Sequence, residues 1–235
     1  MSGIVPYIVR FANPEYSREI RIEASFFVVQ LFSSSKTAVR LFISAGGVIS
    51  LAKFLDLNME VNKDINFMAI DCLNLLIQCK LIFHADLLSM LMKLGIPERI
   101  VVVIDSLVHE GEESTSYVFL LKAMDIMIAF AFGPPIIQEK LCESDILPLL
   151  FEASKYFNVQ CLFGLCTFLH GMARNPSVLN HLENVGIIPL CSMLIKIGLG
   201  FKGESSKVLF CLTLGTLIRS SPTLAYLLYT LSFTL

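Results

Sequence analysis

Apolar and polar residues alternate along this chain with helical spacing, in clusters that recur. In "LFISAGGVISLAKFL", residues 41–55, one apolar helix ends at a glycine pair and a second apolar helix starts at once. The same cadence returns at Gly3-Ile4-Val5-Pro6, Gly46-Gly47-Val48-Ile49, Gly95-Ile96-Pro97-Glu98, Asp145-Ile146-Leu147-Pro148 and Gly186-Ile187-Ile188-Pro189, with offsets of 43, 49, 50 and 41 residues. Periods of that size belong to helical solenoids of the armadillo and HEAT type. Glycine supplies the left-handed conformation that ends a helix. A proline in the next first turn, as at Pro97, Pro148 and Pro189, gives up only an N–H that has no helical partner.

Each cluster reads as a short helix such as Lys36 to Ala45, a second such as Gly47 to Leu57, and a long third. The third helices are expected over Ser17 to Ser34, Asn62 to Cys79, Ser114 to Phe132, Asn158 to Arg174 and Ser205 to Ser220. No segment alternates with period two, so no strands are expected. The predicted fold is all-α, an armadillo/HEAT-like right-handed solenoid of four to five three-helix repeats. It forms a single domain over residues 1–235, with acidic "HEGEES" at 109–114 as a solvated loop.

At 55% hydrophobic and 16% charged residues, a large buried interior is required. A formal net charge of -2 offers no cationic surplus for a phosphate backbone, so nucleic acid is not an expected partner. Cys72, Cys79, Cys142, Cys161, Cys166, Cys191 and Cys211 contain no CxxC pair and read as small buried hydrophobes in a reducing, cytoplasmic setting. "MSGIVPYIVR" lacks the pattern of a signal peptide. Tyr117 to Phe132 is the best membrane candidate. Lys122 and Asp125 at its middle, at about 2.5 to 3.5 kcal/mol each, make it a buried helix instead, and no membrane insertion is expected.

Chemical motifs are sparse. Gly198-Leu199-Gly200-Phe201-Lys202-Gly203 is a GxGxxG string, but it follows a helix, where phosphate cradling needs a strand before it. No kinase catalytic loop or DFG motif occurs, and His84, His109, His170 and His181 build no HExxH or nucleophile pair. No cofactor, metal or catalytic residue is expected. Asp71 and Asp125 fall at equivalent places in successive repeats, and structural pairing of a carboxylate with Lys122 competes with ligand contact as their role.

"SREIRIEASFFVVQLF", "LFISAGGVISLAKFLD" and "FMAIDCLNLL" resemble the armadillo-type region that follows the kinase domain in septation and mitotic-exit Ser/Thr kinases, the fungal septation kinases and the plant MAP kinase kinase kinase epsilon group. The resemblance covers roughly residues 3–110. It implies a non-catalytic protein-binding module of a larger kinase, recruited to the spindle pole through a Ras-like small GTPase. Peptide-binding armadillo repeats present tryptophan and, four residues on, asparagine from the third helix. Here Phe26, Asp71, Asp125, Thr167 and Thr213 stand at the tryptophan-type positions, and Gln30, Leu75, Ala129, Gly171 and Leu217 at the asparagine-type ones. That departure argues against an import receptor. The candidate partner groove is Phe26, Gln30, Asp71, Asn74, Gln78, Lys122, Asp125, Thr167 and His170.

A second candidate surface is the ending "LAYLLYTLSFTL", residues 224–235, with Tyr226, Leu227, Tyr229, Leu231 and Phe233 as contacts. Burying roughly 600 Å² of such a helix contributes about 15 kcal/mol gross at ~25 cal/mol per Å². The expected occupant is a second copy, giving a homodimer, or a partner, or further sequence of a longer protein. A self-associating scaffold without GTPase contact is the alternative function.

Overall fold

The computed structural model describes residues 5–11, 13, 15–56, 58–79, 84–110, 115–185, 187, 190, 191, 194, 204–220, 222, 225, 226 and 229. Among them run the α-helices α1 Val5–Phe11, α2 Arg18–Ser34, α3 Lys36–Ser44, α4 Gly47–Leu55, α5 Met59–Gln78, α6 His84–Lys93, α7 Ile96–Leu107, α8 Thr115–Ala131, α9 Pro135–Glu143, α10 Ile146–Ala153, α11 Val159–Met172, α12 Pro176–Asn184 and α13 Glu204–Ser220, and no described residue lies in a strand. The chain divides into two compact units, Met1–Ile126 and Met127–Leu235.

Caps and turns sit where the residue chemistry requires. Ser35 accepts from the Ala38 N–H at the start of α3, Asn58 from Glu60 before α5, Asn158 from Cys161 before α11 and Asn175 from Ser177 before α12. Each satisfies an N–H that the helix leaves unpaired. Gly46 and Gly95 have φ of 78° and 65°, the left-handed values that let α3 turn into α4 and α6 into α7. The third observed anchor differs. Asp145 has φ -73°, and the corner is made by extended Ser144, so a side chain is tolerated there without strain.

In the first unit α2 packs along α5, and α4 lies between α5 and α7. Val28, Val39, Phe42, Val48, Phe54, Ile65, Ile70, Leu73 and Ile100 are buried there. In the second unit α11 packs on α13, and α12 contacts both α9 and α13. Leu141, Leu147, Leu165, Phe168 and Val178 form the interior.

Cross-helix bonds recur at the repeat spacing. Arg18 pairs with Asp64 at 2.8 Å across α2 and α5, Arg99 with Asp56 at 2.5 Å, and Lys63 with Glu110 at 2.5 Å. In the second unit Thr213 Oγ1 donates to the Cys166 carbonyl at 3.1 Å. These partners lie 43 to 47 residues apart, the separation expected when equivalent positions of neighbouring repeats touch.

Two sequence expectations shift. The second helix of the first complete repeat ends at Leu55, and α5 starts at Met59, three residues before the expected Asn62. Asn62 has φ -122° and ψ 31°, a kink that joins an extra first turn to the long helix. The GxGxxG at 198–203 lies outside the described residues, as do residues 111–114 of the acidic loop.

Candidate protein-interaction surface

Third helices α2, α5 and α8 carry the candidate groove residues of the first unit. The apolar stripe of each helix faces the core, and the opposite line follows the 3.6-residue period. On α2 that line contains Glu23, Phe26, Phe27 and Gln30, all exposed, with Phe26 at 54%. On α5 it contains Asp64, Phe67, Asp71, Leu75 and Gln78. On α8 Val118, Lys122 and Asp125 continue the pattern. Asn74 sits one step inward and is buried, its Oδ1 accepting from the Gln78 amide at 2.6 Å. Gln78 is thereby held on the outer edge.

A compact polar-aromatic cluster fixes α5 against α8. The rings of Phe67 and Phe119 stack with centroids 3.9 Å apart and planes 7° apart. Lys63 lies 5.6 Å from the Phe67 centroid and Lys122 4.8 Å from that of Phe119. Lys122 also forms a short ion pair with Asp71, and Lys63 holds Glu110. An aromatic pair contributes about 0.5 to 1.5 kcal/mol beyond its area, an exposed cation over a ring about 0.5 to 1, and a partly exposed ion pair up to about 1. The sum is a stiff platform of a few kcal/mol. Burial raises the Glu110 carboxyl, yet hydrogen bonds from Lys63 and Ser116 outweigh it and leave the pKa lowered.

The two repeat-equivalent carboxylates separate in character. Asp71 is paired with Lys122. Asp125 forms no ion pair or hydrogen bond among the described residues, and partial burial raises its pKa. The residue is nonetheless exposed.

In the second unit Thr167 is half-buried, its hydroxyl turned back to the Phe163 carbonyl at 2.9 Å. His170 is half-buried, its Nδ1 shielded and without a hydrogen bond, its ring 6.3 Å from that of Phe132. Gly171 is where α11 meets the end of α8. A Cβ there would lie 2.9 Å from the Phe132 ring and 3.0 Å from the Ala131 carbonyl carbon. Thr213 and Leu217, the expected groove positions of the last repeat, are instead buried. They face α11, and the exposed line of α13 runs through Val208, Cys211, Leu212, Gly215 and Arg219.

Tyr226 and Tyr229 of the apolar ending are 70% and 64% exposed. Leu227, Leu231 and Phe233 lie outside the described residues. All seven cysteines are free thiols. Burial pushes Cys72, Cys166 and Cys191 up to about 12 and Cys142 up to about 11. Cys211 departs from the expectation of burial: it is exposed, because α13 turns that line outward.

Sequence reading missed the Phe67–Phe119 stack. The available signal was their separation of 52 residues, one repeat, on third helices. It also missed an apolar groove of about 500 Å³ between α1 and α2, walled by Tyr7, Phe11, Ile20 and Phe27. Among the described residues no group of three or more His, Cys, Asp or Glu side chains is placed to hold a metal, and no single helix is long and apolar enough to cross a membrane.

No family model matches the chain. Cell division control protein 7 of Schizosaccharomyces pombe is 26% identical over 216 residues, 90% of this chain and 20% of that protein. Cytokinesis protein sepH of Aspergillus niger is 41% identical over 63 residues, 27% of this chain and 5% of its own length. MAP3K epsilon protein kinase 1 of Arabidopsis thaliana is 38% identical over 71 residues, 29% and 5% of the two chains. The chain thus spans a fifth or less of these relatives. Among solved structures, a designed armadillo repeat protein, YIII(Dq)4CqI, matches with TM-score 0.66 at 17% identity, over 92% of this chain and 82% of that one. A computationally designed armadillo protein for modular peptide recognition matches with TM-score 0.68 at 16% identity, over 91% and 82%. The fold is an all-α armadillo-like solenoid, and the sequence is similar to a part of the septation-kinase and MAP3K epsilon group.

Proposed function

We propose that this chain is a non-catalytic protein-interaction module of a larger cell-cycle Ser/Thr kinase, acting as one repeat domain over residues 1–235. Its third-helix face binds a Ras-like small GTPase or a scaffold, and that contact localises the kinase at the spindle pole for septation and mitotic exit. The similarity to cell-division and cytokinesis proteins supports the setting, and the armadillo fold supports binding as the activity. The observation that carries the choice of face is the pair Phe26 and Asp125: a large exposed aromatic, and a carboxylate with no ion pair among the described residues where Asp64 and Asp71 are paired with Arg18 and Lys122. Gln30, Gln78 and the Lys122–Asp71 pair complete the surface in the first unit, and Thr167 and His170 are the second unit's own candidates.

A pull-down of the chain against such a GTPase, loaded with GTP or GDP, tests this reading. Retention in one nucleotide state, lost on Phe26→Asp with helicity unchanged, is the expected result. Absence of binding in both states contradicts it. Exposed Tyr226 and Tyr229 favour a second reading, self-association through the apolar ending. Cross-linking of the chain alone separates the two.

A further inference from the structure

The apolar groove between α1 and α2 in the first unit is walled by Tyr7, Phe11, Ile20 and Phe27, with Glu19 and Glu23 also lining it. The next repeat shows what such a face does. A shift of 43 residues carries Tyr7 and Phe11 onto Ser50 and Phe54 of α4, and a shift of 45 carries Glu19, Ile20, Glu23 and Phe27 onto Asp64, Ile65, Met68 and Cys72 of α5. Phe54, Ile65 and Cys72 are at most 1% exposed, whereas Phe11, Ile20 and Phe27 are 36 to 42% exposed. The remaining counterparts bond to the repeat before them: Ser50 Oγ donates to the Val9 carbonyl at 3.2 Å, Asp64 accepts from Arg18 at 2.8 Å, and the Met68 sulfur accepts from Ser25 Oγ at 3.3 Å. This is therefore the face on which one repeat receives a helix of another, and in α1 and α2 no described residue covers it.

The charges say which helix fits. Arg18, the first residue of α2, bonds forward to Asp64, and Lys63, the first residue past the Asn62 kink of α5, bonds forward to Glu110. Each cation opens a long helix, where the helix dipole does not favour it, so the carboxylate ahead is what stabilises it there. Glu19 stands where Asp64 stands one repeat on, yet neither Glu19 nor Glu23 has an ion pair among the described residues. Hydrogen bonds from its own backbone N–H and the Ser17 hydroxyl lower the Glu19 pKa, so its charge is present at neutral pH. Two copies meeting through this face would set these carboxylates against one another, which disfavours a symmetric dimer here.

We propose that this groove binds an α-helix of a partner protein, amphipathic and with arginine or lysine in its first two turns, lying parallel to α2 as α2 lies along α5. Its apolar stripe covers Tyr7, Phe11, Ile20 and Phe27, and its cations reach Glu19 and Glu23. Recognition of a helix in a groove reads apolar residues spaced i, i+3, i+4 and i+7, and the two carboxylates select a basic start over a neutral or acidic one. The site is built by α1 and α2 alone and does not depend on the GTPase reading.

The test uses three fluorescein-labelled, end-capped peptides of about 18 residues, long enough to form a helix. All are built of alanine and glutamine with one leucine stripe, and they carry two arginines, two glutamines or two glutamates in the first two turns. Fluorescence polarisation with the 235-residue chain is expected to rank them arginine, glutamine, glutamate, the last at least about tenfold weaker than the first. In a chain with ¹³C-methyl isoleucines, the arginine peptide should move the Ile20 signal and leave buried Ile70 and Ile100 in place. Glu19→Lys combined with Glu23→Lys should reverse the order of the arginine and glutamate peptides, with unmoved Ile70 and Ile100 signals showing that the fold is intact. Equal affinity for the three peptides, an unmoved Ile20 methyl, or an unchanged order in the double variant overturns the proposal. Self-association of the chain that the double variant abolishes also overturns it, by giving the groove to a second copy.

Discussion

Gly171 and Gly215 are both helical glycines of the second unit, and the same substitution should have opposite effects at the two. In general, alanine in a helix interior gains about 0.5 to 1 kcal/mol over glycine. At Gly215 a Cβ would meet nothing within 4 Å, so Gly215→Ala realises that gain. At Gly171 the new methyl would stand 2.9 Å from the Phe132 ring and 3.0 Å from the Ala131 carbonyl carbon, against an ordinary carbon contact of about 3.5 to 4.0 Å. The ring can swing toward solvent, but the Ala131 backbone is fixed by the Gln138 hydrogen bond that also reaches Gly171. Overpacking of this kind costs about 1 to 3 kcal/mol, leaving Gly171→Ala destabilised by about 0.5 to 2 after the helix gain. Thermal denaturation followed by circular dichroism reads both, at roughly 2 to 4 °C per kcal/mol for a chain of this size. A Gly171→Ala protein as stable as the parent, or a destabilised Gly215→Ala protein, refutes the close-packed corner.

Further outcomes follow from single observations. Gly46→Ala places a side chain at φ 78° and should lose about 1 to 2 kcal/mol in chemical denaturation, whereas Asp145→Ala, at φ -73°, should show no such backbone penalty. Asn158→Ala removes the acceptor of the Cys161 N–H and should cost about 1 kcal/mol. Because Asp125 titrates above its unfolded value, its ionisation opposes folding above that range. Asp125→Asn should therefore be more stable than the parent at neutral pH, an advantage that fades as pH falls through the carboxylate range and both forms become neutral. Under native conditions at pH 8, a thiol reagent should label Cys211 first, with Cys72, Cys166 and Cys191 unreactive until denaturation.

The repeat cadence was readable because two of its anchors are chemically marked: Gly46 and Gly95 turn left-handed, and Pro97 sits in the first turn of α7. Third-helix spans were readable within a few residues because their apolar stripe has the helical period. The Asn62 kink was not, since no proline or glycine marks it. Asp71 and Lys122 lie 51 residues apart, one repeat, so their pairing followed from alignment. Thr213 and Leu217 did not follow the same rule, because a small rotation of α13 carries those positions onto α11 and brings Cys211 outward. Packing between helices sets such rotations, and it leaves little trace in composition. The Gln138 bridge was equally hidden: a lone glutamine after two prolines carries no motif, and its role depends on two carbonyls, one of them 33 residues away.

The decisive experiment is calorimetric titration of the 235-residue chain with a Ras-like small GTPase in its GTP and GDP forms, repeated with Phe26→Asp and with Asp125→Lys. Saturable binding preferring one nucleotide state, weakened in both variants while their helical spectra match the parent, is the predicted result. Heat signals absent in both states, or variants that bind as tightly as the parent, would contradict a partner-docking role for the third-helix face.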